Sequence, residues 1–484
     1  MTISTGISTA LLRPQTFHRH IYLKGGRSLV SLPQRIALVG IKAAGGTATA
    51  TVPVDLVDPA DVDSLFGQGS ELALMARMAF AVMAQRGGGP ALTGVPLAAP
   101  SGVAATHTFT VTGTATAGGL LRLRIAGRNV YVGVTTGDTQ NTIATAICNA
   151  IKALYGDLPG TAAVATNVVT FTHAHTGENG EDVLFEVVSY GGVTGSTVAA
   201  AAGTTGTGAA TIATALDALA GLEFDAIALG NHKSADVSAI LTSIATLWGP
   251  SEKKWRWHFI GETTTLSAAT TLASAANHQG VIIGSCEAGR SLPGEVAAAL
   301  AVAAFSTDRP NAGYNGLRLP LYQSADASAY SGTEVETALA AGVTPLTPVL
   351  SSTKAIVDGW LKIERLITTK TTENSLPFAT LRDLAVSRTG VYMARQLDIG
   401  YAARFGAGQD DVLIDDTSMA QIRDMAVNMM HDAAALRILK NVEDDSAAMV
   451  VEQDPIADGR ANVDMKYTVV MPLHQTAYVH RVTI

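Results

Sequence analysis

Leu120-Leu-Arg-Leu-Arg-Ile125-Ala-Gly-Arg-Asn-Val130-Tyr-Val-Gly-Val-Thr135 reads as two strands joined by a tight turn. Leu120–Ile125 and Val130–Thr135 each alternate apolar and polar residues, and Gly127-Arg128-Asn129 supplies the hairpin. Working outward, His107–Thr112 alternates in the same way, and Thr139–Leu154 has Ile143, Ile147, Ile151 and Leu154 at helical spacing. Val168–His173 and Val183–Val188 read as further strands, and the Ala/Gly/Thr tail Ala199–Gly208 reads as a return linker. Residues 97–208 therefore predict a small, strand-rich α+β domain of five strands and one helix.

The flanks have a different rhythm. Arg35–Gly40 is a β-branched, apolar run entered from Pro33, and Val52–Val57 is a second one. Glu71–Arg86 is a helix capped by Ser70 and stopped by Gly87-Gly88-Gly89-Pro90. Its Leu72, Met75, Met78, Ala79, Val82 and Met83 form a core face, not a cofactor box. Helices at Ile212–Leu219, Val237–Leu247, Ser267–Asn277 and Pro293–Phe305 then alternate with strands at Phe224–Leu229, Trp255–Ile260 and Gly280–Gly284. This pattern predicts an α/β core with a mixed sheet covered on both faces and carrying the strand-rich domain as an insertion. Beyond a loop near Arg309, Leu361–Ile367 reads as a strand and Thr380–Phe405 as mainly helix. Thr417–Lys440 is a helix with a Ser418/Gln421 capping box. Met419, Ile422, Ala426, Met429, Ala433 and Leu436 line its apolar face, away from Arg423, Asp424, Asp432 and Arg437.

A chain of 484 residues predicts about two to four domains. Charged residues are 15% and hydrophobic ones 47%, leaving more apolar surface than a monomer needs to hide, so the composition favours an oligomer. Aromatics at 5% and a net charge of −8 argue against a stacking platform or a phosphate-backbone binder. The N-terminus lacks a basic start followed by an apolar core, so no export signal is expected. Val296–Phe305 is too short to span a bilayer. Cys148 and Cys286 have no CxxC or metal spacing and read as buried free thiols.

Candidate chemistry is thin. His173 and His175 share one face of a strand, but the nearby Glu178, Glu181 and Asp182 do not complete a ligand set, and exposed strand-end histidines are the expectation. Asp410, Asp411, Asp415 and Asp416 lack the alternate spacing of a calcium loop and suit a helix N-terminus. Gly203-Thr-Thr-Gly-Thr-Gly208 has no lysine for a phosphate loop. Gly284-Ser-Cys-Glu-Ala-Gly289 is not a nucleophile elbow. Catalytic, cofactor and metal residues are therefore none.

The two ends are open. Ile3, Ile7, Leu11 and Leu12 lie in a polar arm ending at Pro14. Val463, Met465, Tyr467, Val469 and Met471 alternate up to Pro472, beyond which Tyr478, His480, Val482 and Ile484 point one way and Ala477, Val479, Arg481 and Thr483 the other. A frayed N-terminus with a local hairpin at Pro472 and strand addition to a neighbouring copy both fit this pattern.

Taken in order, several segments resemble the contractile-tail sheath proteins of the Mu-like bacteriophage group. Pro33-Gln-Arg-Ile-Ala-Leu-Val-Gly40 and Phe66-Gly-Gln-Gly-Ser-Glu-Leu-Ala-Leu-Met75 match its opening elements. Leu123-Arg-Ile-Ala-Gly-Arg-Asn-Val130, Gly137-Asp-Thr139 and the Ile143–Ile151 helix resemble its variable domain. Phe224-Asp-Ala-Ile-Ala-Leu229, Asp308-Arg-Pro-Asn311, Leu317-Arg-Leu-Pro320, Ala341-Gly-Val343, Ile363-Glu-Arg-Leu-Ile-Thr-Thr369, Thr380-Leu-Arg-Asp-Leu384 and Val469-Val-Met-Pro-Leu-His-Gln-Thr-Ala-Tyr-Val479 follow the family's order. Lys370–Pro377 departs from it, lacking the usual Gly-Asp turn.

The resemblance implies a non-enzymatic virion component, assembled in the host cytoplasm as a helical homopolymer around an inner tail tube protein. Baseplate and tail terminator proteins would be its other partners, with no nucleic acid or membrane. Residues 1–20 and 461–484 would be linking arms, 21–96 and 209–460 the core domain, and 97–208 the outward-facing domain. Strand exchange would run through Ile3, Ile7, Leu11, Leu12 and Ala477–Ile484, and Arg423, Asp424, Asp432 and Arg437 would touch the tube. The alternatives are an α/β enzyme with an inserted lid, which predicts a deep polar pocket, and a secreted adhesin, which the Thr-rich insertion permits and the missing export signal disfavours.

Overall fold

The computed structural model describes residues 33–287, 289–322, 330–353, 356–378, 380–405, 413–457 and 459–474. Two compact units emerge, one holding described residues 33–392 and 471–474, the other residues 393–470. The boundary falls within the helix Leu384–Phe405.

The larger unit is built on a nine-stranded mixed sheet. Its six parallel strands lie in the order Ala91–Leu97, Arg35–Ile41, Ala226–Leu229, Trp257–Glu262, Val281–Ser285 and Val343–Leu350. Antiparallel strands close both edges: Val54–Leu56 at one, Ile356–Ile363 and then Arg318–Leu319 at the other. Alternation sends Ile36 and Leu38 to one face and Ala37, Val39 and Ile41 to the other. The helices Glu71–Arg86 and Pro293–Phe305 cover the first face. Ala213–Ala220, Ser234–Leu247 and Leu266–Ala276 cover the second. A mixed α/β architecture with several sheets is thus present.

Pro293–Phe305 is buried along its whole length, which its Ala-rich sequence makes possible. Small side chains let the helix lie close to the sheet. At Gly261 a Cβ would stand 2.1 Å from the Pro293 carbonyl oxygen, so the helix start rests on bare backbone. Gly261→Ala is expected to cost about 3 kcal/mol, read by urea denaturation. A loss under about 1 kcal/mol would mean that the helix shifts without strain.

Between Leu97 and Gly208 lie seven strands and one α-helix, where the sequence predicts five and one. A four-stranded antiparallel sheet runs Thr194–Ala202, Thr106–Ala117, Val168–His173, Gly160–Ala165, and a three-stranded one runs Arg128–Val134, Gly119–Ile125, Phe185–Ser189. Gln140–Ala153 packs on them through Ile143, Ile147 and Ile151. Gly160–Ala165 and Thr194–Ala202 are the additions, so the expected return linker at Ala199 is partly strand. The outer edge of Thr194–Ala202 is covered at one rung. The Tyr190 hydroxyl accepts from Val198 N at 3.0 Å and donates to Val198 O at 3.1 Å. The hairpin turn also moves, to Ala126-Gly127, both with positive φ (47° and 79°). Asn129 lies in the strand, its side-chain oxygen accepting from Arg122 and Arg124.

Further expectations are corrected in the later chain. The strand expected at Leu361–Ile367 is Ile356–Ile363, and Val343–Leu350 joins the sheet despite Pro345 and Pro348. Where Lys370–Pro377 departs from the family pattern, Asn374 and Ser375 make the turn at φ of 48° and 65°. In the smaller unit the long helix is Asp416–Ala435. Asp415 caps it with Ser418, in place of the Ser418/Gln421 box. It stops before Lys440 because Arg437 turns left-handed, at φ 58°. Ala426, Met430 and Ala433 are its buried residues, whereas Leu436 is exposed. The single alternating strand expected from Val463 to Met471 is two pieces. Ala461–Asp464 pairs with Val450–Gln453, and Thr468–Val469 pairs with Leu439–Lys440.

Candidate functional site

In a parallel sheet covered on both faces, ligands bind at the carboxyl ends of strands where the strand order reverses. Here that point lies between Arg35–Ile41 and Ala226–Leu229, because the chain continues outward from the first to Ala91–Leu97 and later returns to its other side. The crevice is filled. Glu71 Oε2 accepts from Ile41 N at 2.9 Å, and Glu71 Oε1 accepts from Asn179 Nδ2 at 2.7 Å. A Cβ on Gly230 would come within 2.4 Å of the Glu71 carboxyl carbon. Beside it His232 Nε2 lies 3.6 Å from Asp182 Oδ1. Asn179 and Asp182 belong to the 97–208 segment, so that segment plugs the position where a ligand would enter.

Ion pairs ranging from buried to partly exposed fasten the segment around this plug. Arg128 forms a two-pronged pair with Glu295, one contact at 3.0 Å, and Glu295 is fully buried. Burial opposes the Arg128 charge, but Glu295 more than offsets it and raises the arginine's pKa. Arg290 grips Glu186 at 2.5 and 2.9 Å, and Arg77 reaches Asp157 at 2.6 Å. Burial likewise opposes charging His232, yet Asp182 leaves its pKa above the usual value. An inserted lid needs a hinge that opens; four ionic latches across one seam make a fixed graft.

The histidines expected at an exposed strand end are placed otherwise. His173 is buried, edge-on to Phe171 and 5.8 Å from the His107 ring, while His175 is half-buried. A cavity of about 20 Å³ lies beside Glu71, His173, His175, Asn179 and Asp182, room for one water. Among the described residues no group of three His, Cys, Asp or Glu side chains is arranged to hold a metal. Cys148 and Cys286 are free and buried, and burial pushes the Cys286 thiol up to about 12. No described helix is long and apolar enough to cross a membrane.

Two buried imidazoles make stability pH-dependent. Burial lowers His173 and His258 to about 3, with His175 and Arg256 respectively adding to the effect. Above pH about 6.5 both folded and unfolded chains leave these rings neutral. Below it the unfolded chain takes up protons that the fold refuses, so stability falls by about 1.4 kcal/mol per pH unit for each ring. His258→Asn is expected to flatten the fall in melting temperature between pH 7 and 5. An unchanged slope would show that the folded chain accepts the proton.

Ile3, Ile7, Leu11, Leu12 and Ala477–Ile484 lie outside the described residues, as do Asp410 and Asp411. Arg423 and Asp424 are exposed on the Asp416–Ala435 helix, and Arg423 Nη2 donates to Ser446 O at 3.2 Å. Asp432 is half-buried. At about 100° per residue it projects roughly opposite Arg423, and Arg437 lies past the helix end, so the four charges do not share one face.

No family model matches the chain. Over 194 residues it is 34% identical to the Mu-like prophage FluMu tail sheath protein of Haemophilus influenzae, a match covering 40% of this chain and 39% of that protein. The chain thus spans about two-fifths of the curated relative's length. In fold it is similar to a chain of the anti-feeding prophage baseplate, with TM-score 0.52 and 11% identity over 98% of this chain and all of that one. The sheath tail protein of Desulfitobacterium hafniense aligns at TM-score 0.48 and 16% identity, covering 94% of this chain and all of that one.

Proposed function

We propose that this chain is a structural subunit of the contractile sheath around a phage, or phage-derived, tail tube, and that it works without catalysis or a cofactor. The sequence likeness to a Mu-like tail sheath protein carries the reading. The filled switch point supports it, since the fold spends its usual ligand crevice on holding a graft in place. In this reading residues 97–208 face outward, and residues near both termini pair with sheets of neighbouring copies. Arg423 and Asp424 touch the inner tail tube protein, and baseplate and tail terminator proteins bound the polymer. The subunit assembles in the host cytoplasm and ends in the virion. Contraction draws on a difference in subunit contacts between two lattices, a few kcal/mol per copy being enough when summed along a sleeve.

Negative-stain imaging of the purified full-length protein tests this. Long, regular tubes or sleeves are expected. A monodisperse monomer or small closed oligomer at all concentrations would overturn it.

A further inference from the structure

We propose that His474 is the anchor fixing where the C-terminal segment leaves its own subunit, an inference that rests on the strand-exchange reading above. The polypeptide passes from the smaller unit to the larger at Val470 and Met471. Val470 N is still bonded to Ile438 O at 2.9 Å, within the smaller unit. Two residues later Pro472 lies against the larger unit, where a Cβ on Gly313 would be 3.1 Å from Pro472 Cβ. Asn315 Nδ2 donates to His474 Nδ1 at 2.8 Å, and His474 Nε2 stands 2.7 Å from Asp383 Oδ2, a close electrostatic contact outside hydrogen-bonding geometry. Asp383 is 5% exposed and already set: Arg365 Nη2 donates to it at 3.2 Å and Ala385 N at 2.9 Å. The receiving carboxylate is therefore organised by Arg365 and a helix start before His474 arrives.

Alternation makes the grip one-sided. Pro472 and His474 face the protein while Met471 and Leu473 are exposed. The hold on Met471–His474 thus falls on alternate residues. A tether that starts from a fixed point keeps its far end at a higher effective concentration near its target, and less ordering remains for binding to supply. Without His474 the last hold before the tether would be Pro472 beside Gly313.

The test uses the full-length chain and the protein concentration at which half of it sediments as polymer. His474→Ala is expected to keep the parental melting temperature and to need about tenfold more protein or higher. A disulfide joining Gly313→Cys to Pro472→Cys, within a small shift of the usual Cβ separation, should leave assembly at the parental concentration. Placed in the His474→Ala chain it should restore assembly. Parental assembly by His474→Ala overturns the anchor, and so does loss of assembly on closing the disulfide. Should His474→Ala prove unstable, the disulfide in the parental chain decides alone. Removing residues 475–484 separates the two ideas. If that chain still polymerises normally, strand exchange fails and the anchor with it. If it does not, while His474→Ala does, only the anchor fails.

Discussion

Removing residues 473–484 is expected to leave a folded subunit that builds no long sleeves. Of the contacts described in the larger unit, the deletion takes away only those of His474 with Asn315 and Asp383. The nine-stranded sheet, both helical layers and the seam are untouched, so melting should stay within a few degrees of the parent. Assembly should collapse. A paired strand contributes several backbone hydrogen bonds, each about 1 kcal/mol net, and every link along the polymer loses them together. Electron microscopy reads the outcome directly. Long, regular sleeves from the shortened chain would sink strand exchange as the linking principle.

The second large effect concerns the seam. Glu295→Gln removes the fully buried carboxylate from a pair whose Arg128 side chain is 17% exposed, and leaves that guanidinium without its counter-charge. Stranding a buried charge typically costs about 3–5 kcal/mol. The same substitution weakens the start of the Pro293–Phe305 helix, because Glu295 also accepts from Leu292 N at 3.0 Å. Replacing both partners, Arg128→Met with Glu295→Leu, should recover much of the loss, since an apolar pair of similar volume needs no compensation. Urea unfolding of the two variants decides. If the single variant loses under about 1 kcal/mol, water reaches the seam and the graft is looser than its geometry indicates.

Much of this architecture is legible in the chain, for local reasons. Glu71–Arg86 and Pro293–Phe305 carry their own start and stop signals: a Ser70 cap and Gly87 stop for one, a proline start for the other. Parallel strands such as Arg35–Ile41 are apolar from Ile36 onward because both faces are buried there. Other elements depend on partners that local pattern cannot reveal. Thr194–Ala202 is a strand only because Thr106–Ala117 pairs with it; its alanines have little strand preference of their own. Val343–Leu350 hides behind two prolines, tolerated where it passes from a parallel neighbour to an antiparallel one. The seam was the least legible part, as Arg128 and Glu295 stand 167 positions apart and Arg290 and Glu186 are 104 apart. His173 is hidden for a related reason: a strand-end histidine looks exposed until the distant His107 ring packs beside it.

In the proposed sheath, subunits crowded shoulder to shoulder would meet one another's outermost strands at enormous local density, where any bare rung invites accidental welding. The phenol of Tyr190 occupies both hydrogen-bonding groups of Val198, so that rung has nothing to offer a passing stranger. Tyr190→Phe would leave both groups vacant. Its consequence would surface as tangled, irregular clumps long before it registered as a weaker fold.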